Sequence, residues 1–201
     1  MEERTFSHKA ARIISTIMVP PSFTILIFIY FAFSLETSTR NIFLVIAVAL
    51  SFGFLFQILM FFFFRRRGMI ADMDASVKEE RTLPFFVAVV IYLCGLIVLI
   101  QGKVNPLTVS FWFCYISNTL IVIFINRHWK ISAHALGAAG PLGALAYMLG
   151  IKSILFFLIL PVIGWARLKL ERHTLAQVVA GSIVGFLFTY FQISFLIGYF
   201  G

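Results

Sequence analysis

Three short polar clusters interrupt the apolar runs of this chain, and their residue types are suited to binding and attacking a phosphate group. Arginine presents a planar fork of donors that matches phosphate oxygens, and serine hydroxyls and the amides of a helix N-terminus add further donors. Two histidines can divide the work of nucleophile and general acid. Such a set can displace a phosphate ester without a metal, because positioned donors meet the charge on the transferring oxygens. The clusters span residues 78–84, 130–137 and 167–177.

The elements that must position these clusters are membrane-spanning helices. Of the 201 residues, 61% are hydrophobic and 12% are charged, about half of the roughly 25% that is typical of soluble domains. A helix needs about 20 apolar residues to cross the hydrocarbon layer, and the apolar runs predict seven helical segments: Ile13–Ser34, Asn41–Phe64, Pro84–Ile100, Pro106–Ile125, Ser132–Leu149, Ile151–Trp165 and Leu175–Phe200. We therefore expect an all-α integral membrane protein, a helical bundle of six to seven transmembrane segments.

The count is left at six to seven because the fifth and sixth segments are short and are joined by a tight turn at Gly150, so that they could form a bent hairpin. Prolines inside two segments, at Pro20-Pro21 and Pro161, are expected to kink them. Glycines recur at helix-packing spacing in the fifth and last segments, which predicts close contacts between helices. These glycines are Gly137, Gly140, Gly143, Gly181 and Gly185.

The basic residues are distributed unevenly across the predicted membrane. Alternating the loops places all but three of the 16 lysines and arginines on one side, which we name the basic side; the exceptions are Arg40, Lys103 and Lys152. The positive-inside rule makes the basic side cytoplasmic. The net charge of +8 therefore indicates membrane orientation and anionic head groups, and no nucleic-acid partner is expected. We expect the membrane to be that of a prokaryotic cell.

The three clusters, in this order and all on the basic side, resemble the signature of the type 2 phosphatidic acid phosphatase superfamily, integral membrane phosphatases related to vanadium haloperoxidases. That signature reads K-x6-R-P, then P-S-G-H, then S-R-x5-H-x3-D. In the third cluster Arg167 and His173 are separated by five residues, and Gln177 follows at the position of the aspartate. The second cluster keeps Ser132 and His134, and the first keeps Arg81. The resemblance covers residues 78–185 and divides the chain into N-terminal spans with a basic loop (1–77) and a phosphatase-like core (78–201).

The resemblance implies a role for each of these residues. His173 would be the nucleophile that forms a phosphohistidine, oriented by Gln177, and His134 would protonate the leaving oxygen. The phosphate would be held by Arg81, Arg167 and Ser132, with Lys78 or Lys130. The substrate would be a membrane lipid phosphate or diphosphate, phosphatidate-type or isoprenyl, and no metal or other cofactor would be required.

Departures from the signature keep other interpretations open. Ala133 and Ala166 replace a glycine and a serine, Asp74 stands where a lysine is expected, and Gln177 supplies no charge. These changes suit a catalytically weak or inactive protein that binds or transports lipid phosphates on the same fold. Simpler roles are also open, since a histidine at a helix start can contact backbone and a basic residue can anchor a helix at the interface. Asp72 with Asp74 weakly resembles the aspartate-rich loop of membrane aromatic prenyltransferases, but a second such loop is missing.

Overall fold

The computed structural model describes residues 6–75 and 77–200, and helix accounts for about 85% of the structure, with no strand among these residues. The prediction of an all-α fold is confirmed. The α-helices are α1 (Phe6–Ile17), α2 (Pro20–Leu35), α3 (Thr39–Val48), α4 (Phe56–Arg66), α5 (Thr82–Gly102), α6 (Pro106–His128), α7 (Ala133–Leu149), α8 (Ile159–Lys169) and α9 (Leu175–Phe200). A π-helical segment, Ala49–Leu55, joins α3 to α4, and 3-10 segments at Glu79–Arg81 and Gly150–Leu158 precede α5 and α8.

Long apolar helices make this chain an α-helical membrane protein. Five helical stretches are long and apolar enough to cross a bilayer: Thr39–Arg66, Glu79–Gly102, Pro106–His128, Ala133–Lys169 and Leu175–Gly198. The pair α1 and α2 gives a sixth if it counts as one span. The stretch from α7 to α8 reverses direction, since Gly150 has a left-handed φ of 57° and α8 packs back against α7. The predicted turn at Gly150 is therefore confirmed.

The first predicted span differs from the structure at its start and in its continuity. It was expected to run from Ile13 to Ser34, whereas helix already begins at Phe6 and the two helices α1 and α2 meet at a bend of 54°. The bend lies just before Pro20, which begins α2. A proline at the first helical position loses no hydrogen bond, and it disfavours helical geometry in the residue before it. The expected kink at this proline pair is confirmed.

The chain forms two compact units. The first unit comprises Met1–Phe23 and Ile131–Tyr190, and the second comprises Thr24–Lys130 and Phe191–Gly201. Neither unit begins at residue 78, and the functional division predicted at that position stays a prediction. The second unit is built on buried aromatic rings: Phe28 stacks on Phe111 with ring centroids 5.2 Å apart, and the indole N–H of Trp112 donates to the carbonyl of Tyr92 at 2.8 Å. That bond satisfies a polar group inside an apolar core.

Within the first unit, α7 and α9 approach so closely that backbone contacts backbone. A Cβ added at Gly185 would lie 2.5 Å from the carbonyl oxygen of Leu136, and one added at Gly181 would lie 2.6 Å from that of Ser132. These contacts confirm that the two glycines mark a helix–helix contact. The approach at Gly181 also fixes the start of α7, which carries Ser132 and His134, against the first turns of α9.

Replacing Gly185 with alanine is expected to destabilise the detergent-solubilised protein. The new methyl group would overlap the carbonyl oxygen of Leu136 and come within 3.0 Å of its Cα, and backbone atoms cannot turn aside as a flexible side chain can. Overpacking of this kind costs about 1–3 kcal/mol, which corresponds to a fall of several degrees in the apparent melting temperature.

The matched control is Gly198→Ala on the same helix, where an added Cβ meets nothing within 4 Å. Its apparent melting temperature should equal that of the wild type. If the Gly185→Ala protein melted at the same temperature as this control, the close packing of α7 on α9 would be wrong.

Candidate active site

Five predicted site residues lie at one end of the first unit, where the chain enters α7, leaves α8 and enters α9. They are Ser132, His134, Arg167, His173 and Gln177. The starts of α7 and α9 are joined directly, because the amide of Ser132 donates to the carbonyl of Gln177 at 3.2 Å. Gly164, in the middle of α8, lies close to α9, since a Cβ added to it would lie 3.3 Å from Cγ1 of Val178. The second and third sequence clusters therefore meet within the first unit.

Ser132 forms the N-cap of α7 and is completely buried. Its hydroxyl oxygen accepts the amide of Ala135 at 3.3 Å, which satisfies one of the amides left without a partner at a helix start. The hydroxyl hydrogen is not used by this contact. Ser132 can therefore cap the helix and donate to an anion at the same time.

Gln177 orients His173 through a capping box at the start of α9. The hydroxyl oxygen of Thr174 accepts the amide of Gln177 at 3.3 Å, and Oε1 of Gln177 accepts the amide of Thr174 at 3.2 Å. The same Oε1 lies 3.0 Å from Nδ1 of His173. Because this oxygen can only accept, Nδ1 of His173 carries a proton and the lone pair of the neutral ring lies on Nε2.

His134 and Arg167 meet at Ser15, a residue of α1 that no sequence motif identified. Nε2 of His134 lies 3.1 Å from the carbonyl oxygen of Ser15, so this nitrogen carries a proton and donates it. The hydroxyl oxygen of Ser15 accepts from Nη1 of Arg167 at 2.5 Å. Arg167 is 1% exposed and Ser15 is 4% exposed. Ser15 lies in the last turn of α1, where carbonyl groups lack intrahelical partners and the helix dipole favours cations.

The backbone contact of His134 matches the simpler role that the sequence left open, a histidine at a helix start bonded to a carbonyl group. This contact occupies Nε2. His134 can therefore act as an acid only through Nδ1 or after leaving Ser15. In the structure Ser15 follows Ala11 by four residues on the face of α1 that packs on α8, a relation that the sequence alone does not show.

The remaining predicted phosphate ligands, Lys78, Arg81 and Lys130, belong to the second unit. Arg81 is 4% exposed, and its Nε donates to the carbonyl of Ala75 at 2.5 Å. The ammonium group of Lys78 donates to the carbonyl of Arg127 at 3.3 Å, in the last turn of α6. Such contacts are typical of residues that hold a loop and cap a helix C-terminus. Lys130 is half-buried. Phosphate binding by these three residues stays a prediction.

The acidic pair of the loop before α5 forms a local turn, in which the amide of Asp74 donates to the carboxylate of Asp72 at 3.0 Å. Among residues 6–75 and 77–200, no group of three His, Cys, Asp or Glu side chains is placed to hold a metal ion. The two aspartates thus have a structural contact that explains their spacing.

The first unit therefore brings together a histidine with its lone pair on Nε2, a second histidine, a buried guanidinium group and a serine at a helix N-terminus. This set can hold an anion by charge-assisted hydrogen bonds and attack it at an electrophilic centre. Comparison with family models, with curated proteins and with solved structures finds no match to this chain.

Proposed function

We propose that this protein is a metal-independent phosphatase that acts on a membrane lipid phosphate or diphosphate through a phosphohistidine intermediate. The observation that carries the proposal is the pair His173 and Gln177, in which Nδ1 carries the proton and the lone pair of the neutral ring lies on Nε2. Arg167, Ser132 and His134 lie at the same end of the first unit. The resemblance to the type 2 phosphatidic acid phosphatase superfamily gives the same residues the same roles.

The first chemical step transfers the phosphoryl group to the enzyme. Nε2 of His173 attacks phosphorus, and the bond between phosphorus and the leaving oxygen breaks. The leaving oxygen takes a proton from the imidazolium form of His134. Because Nε2–H of that ring is bonded to the carbonyl of Ser15, the transferred proton comes from Nδ1, and the neutral ring keeps its Nε2 proton.

The second step returns His173 to its starting state. Water attacks the phosphorus of the phosphohistidine and gives a proton to Nδ1 of His134, while the electrons of the P–N bond return to Nε2 of His173. The products are an alcohol, or a shorter phosphate, and inorganic phosphate. Throughout, the guanidinium group of Arg167 and the hydroxyl of Ser132 would bind the phosphoryl oxygens of the substrate and of the phosphohistidine.

The surroundings of the site favour a lipid substrate. Large apolar side chains next to the site residues in sequence are exposed rather than packed: Trp165 and Leu168 flank Arg167, and Leu175 follows His173. Exposed apolar side chains at the end of a membrane helix face acyl chains or head groups. A phosphate bound here would therefore be attached to a lipid whose tails remain in the bilayer.

The second candidate is a protein that binds or carries lipid phosphates without turnover. The neutral side chain of Gln177 favours it, because a carboxylate at this position would stabilise the cationic form of His173 and an amide does not. Both candidates require the same anion site, so turnover alone separates them.

The purified protein should release inorganic phosphate from phosphatidic acid or from an isoprenyl diphosphate in the presence of EDTA. Orthovanadate should inhibit the reaction, since it imitates the five-coordinate transition state of phosphoryl transfer. Tight binding of these lipids without phosphate release, and without a trappable phosphohistidine, would favour the binding protein.

For the membrane topology we propose six to seven spans in a prokaryotic cell membrane, with the basic side in the cytoplasm. A cysteine replacing Arg66, in a background without Cys94 and Cys114, should escape an impermeant thiol reagent in intact cells and react after permeabilisation. Arg40 lies at the other end of the same helical stretch, Thr39–Arg66, so a cysteine replacing it should react in intact cells. The opposite labelling pattern would reverse the orientation.

A further inference from the structure

We propose that Ser15 is a positioning residue that holds both the phosphate-binding arginine and the proton-donating histidine; this inference rests on the proposed function. Its two polar groups make separate contacts. The hydroxyl oxygen accepts from Nη1 of Arg167 at 2.5 Å, and the carbonyl oxygen accepts from Nε2 of His134 at 3.1 Å. A single residue of the N-terminal helix therefore fixes groups contributed by α7 and α8.

Packing on two sides holds Ser15 in place. Ala11, one turn before it, is fully buried against Ala166 of α8 and against Leu170, which follows that helix. Beyond the end of α1, Pro20 packs on Gly137 of α7 so tightly that a Cβ added to this glycine would lie 2.6 Å from the proline ring. The position of α1 is thus set by its own packing on α8 and by the packing of the first residue of α2 on α7.

The two contacts of Ser15 act on different parts of the reaction. The carbonyl contact decides that Nε2 of His134 keeps its proton, which directs proton transfer through Nδ1. It depends on the backbone and survives replacement of the side chain. The hydroxyl contact fixes the plane of the Arg167 guanidinium group, and that plane determines how the fork of donors meets the phosphate oxygens. Replacing the side chain therefore removes the second function alone.

Ser15→Ala is expected to raise the KM for a lipid phosphate about 10-fold or more. The free energy of a hydrogen bond to a charged group corresponds to a change of about this size or more in a binding constant. The kcat should change by less than about 3-fold, and the pH dependence of kcat should not move, because the carbonyl contact of His134 remains. Thr16→Ala is the matched control: its hydroxyl is on the same helix and donates to the carbonyl of Arg12 at 2.9 Å. It should leave both constants unchanged.

A double-mutant cycle tests the contact itself. In an Arg167→Lys background the guanidinium group is gone, so the additional effect of Ser15→Ala on KM should disappear. An equal effect in both backgrounds would overturn the proposal, and so would a Ser15→Ala protein with the kinetic constants of the Thr16→Ala control.

Orthovanadate binding separates this proposal from the proposed function. Suppose that the wild type binds vanadate without releasing phosphate, and that the affinity for vanadate is lower in Ser15→Ala but not in Thr16→Ala. The role of Ser15 in anion binding would then stand, and the proposed phosphatase activity would be wrong. A wild type that neither releases phosphate nor binds vanadate would overturn both.

A further measurement needs no Ser15 variant. Nitrogen-15 NMR of the wild type at alkaline pH should show the neutral ring of His134 protonated on Nε2, with His173 protonated on Nδ1. A proton on Nδ1 of neutral His134 would overturn the carbonyl contact.

Discussion

Replacing His173 with alanine is expected to lower the rate of phosphate release at least about 1000-fold, since it removes the atom that forms the covalent intermediate. The matched control is His128→Ala at the end of α6. This histidine is exposed, and its ring contacts Phe124 at a centroid distance of 6.0 Å. It should retain the wild-type rate, which would show that the loss belongs to His173 and not to a basic residue at the membrane interface.

Trapping the covalent intermediate tests the same prediction directly. Wild-type protein quenched during turnover of a radiolabelled lipid phosphate should carry an acid-labile label, and His173→Ala should carry none. A His134→Ala protein should still become labelled, only more slowly, because it retains the nucleophile and lacks the proton donor. The phosphohistidine mechanism would be refuted if the His173→Ala protein kept a tenth of the wild-type activity, or if it carried as much label as the wild type.

The membrane fold could be predicted from the sequence because its signals are local. Run length and hydropathy identify the spanning helices, Pro20 marks the bend between α1 and α2, and Gly150 marks the reversal between α7 and α8. The start of α1 could not be predicted in this way. The residues after Phe6 are polar and lie outside the apolar run, yet they are helical because Ala11 packs on α8. Tertiary packing, which hydropathy does not measure, decided that boundary.

The location of the second and third clusters at one end of the first unit was predictable from the alternation of spans, since both lie at helix ends on the basic side. The role of Ser15 was not, because one serine in an apolar run gives no signal until its partners Arg167 and His134 are known. The backbone contacts of Lys78 and Arg81 were equally hidden, since carbonyl acceptors carry no sequence signature.

Gln177 shows how a comparison with a motif can obscure a local signal. Set against the aspartate of the phosphatase signature, it is a loss of charge. Set against its own helix, Thr174-x-x-Gln177 is a capping box, in which glutamine or glutamate is favoured at this position. Its oxygen serves the helix and His173 together. The side chain is thus suited to hold the ring in place even though it cannot stabilise the positive charge.

Gln177→Glu is therefore expected to raise kcat about 10-fold or more. Glutamate keeps both contacts of the capping box, and its carboxylate adds a charge-assisted hydrogen bond to the imidazole as positive charge develops there. In serine proteases with a Ser-His-Asp triad, the opposite exchange of a carboxylate for an amide costs about 10⁴ in rate, in part because it also selects the wrong tautomer. Here the tautomer is already fixed by Gln177, so only the part due to charge should be regained.

Gln177→Ala should act in the opposite direction and lower kcat at least about 10-fold, because His173 loses the group that orients it. Thr174→Ala is the matched control: it breaks the other half of the capping box, at a cost of about 1 kcal/mol in stability, and leaves the contact between Gln177 and His173 in place. Its kcat should stay near the wild-type value.

If Thr174→Ala and Gln177→Ala lost activity equally, Gln177 would act only by capping α9. If the wild type is active and Gln177→Glu does not change its kcat, the positive charge on His173 does not limit the rate. The neutral side chain of Gln177 would then no longer favour a binding protein over an enzyme.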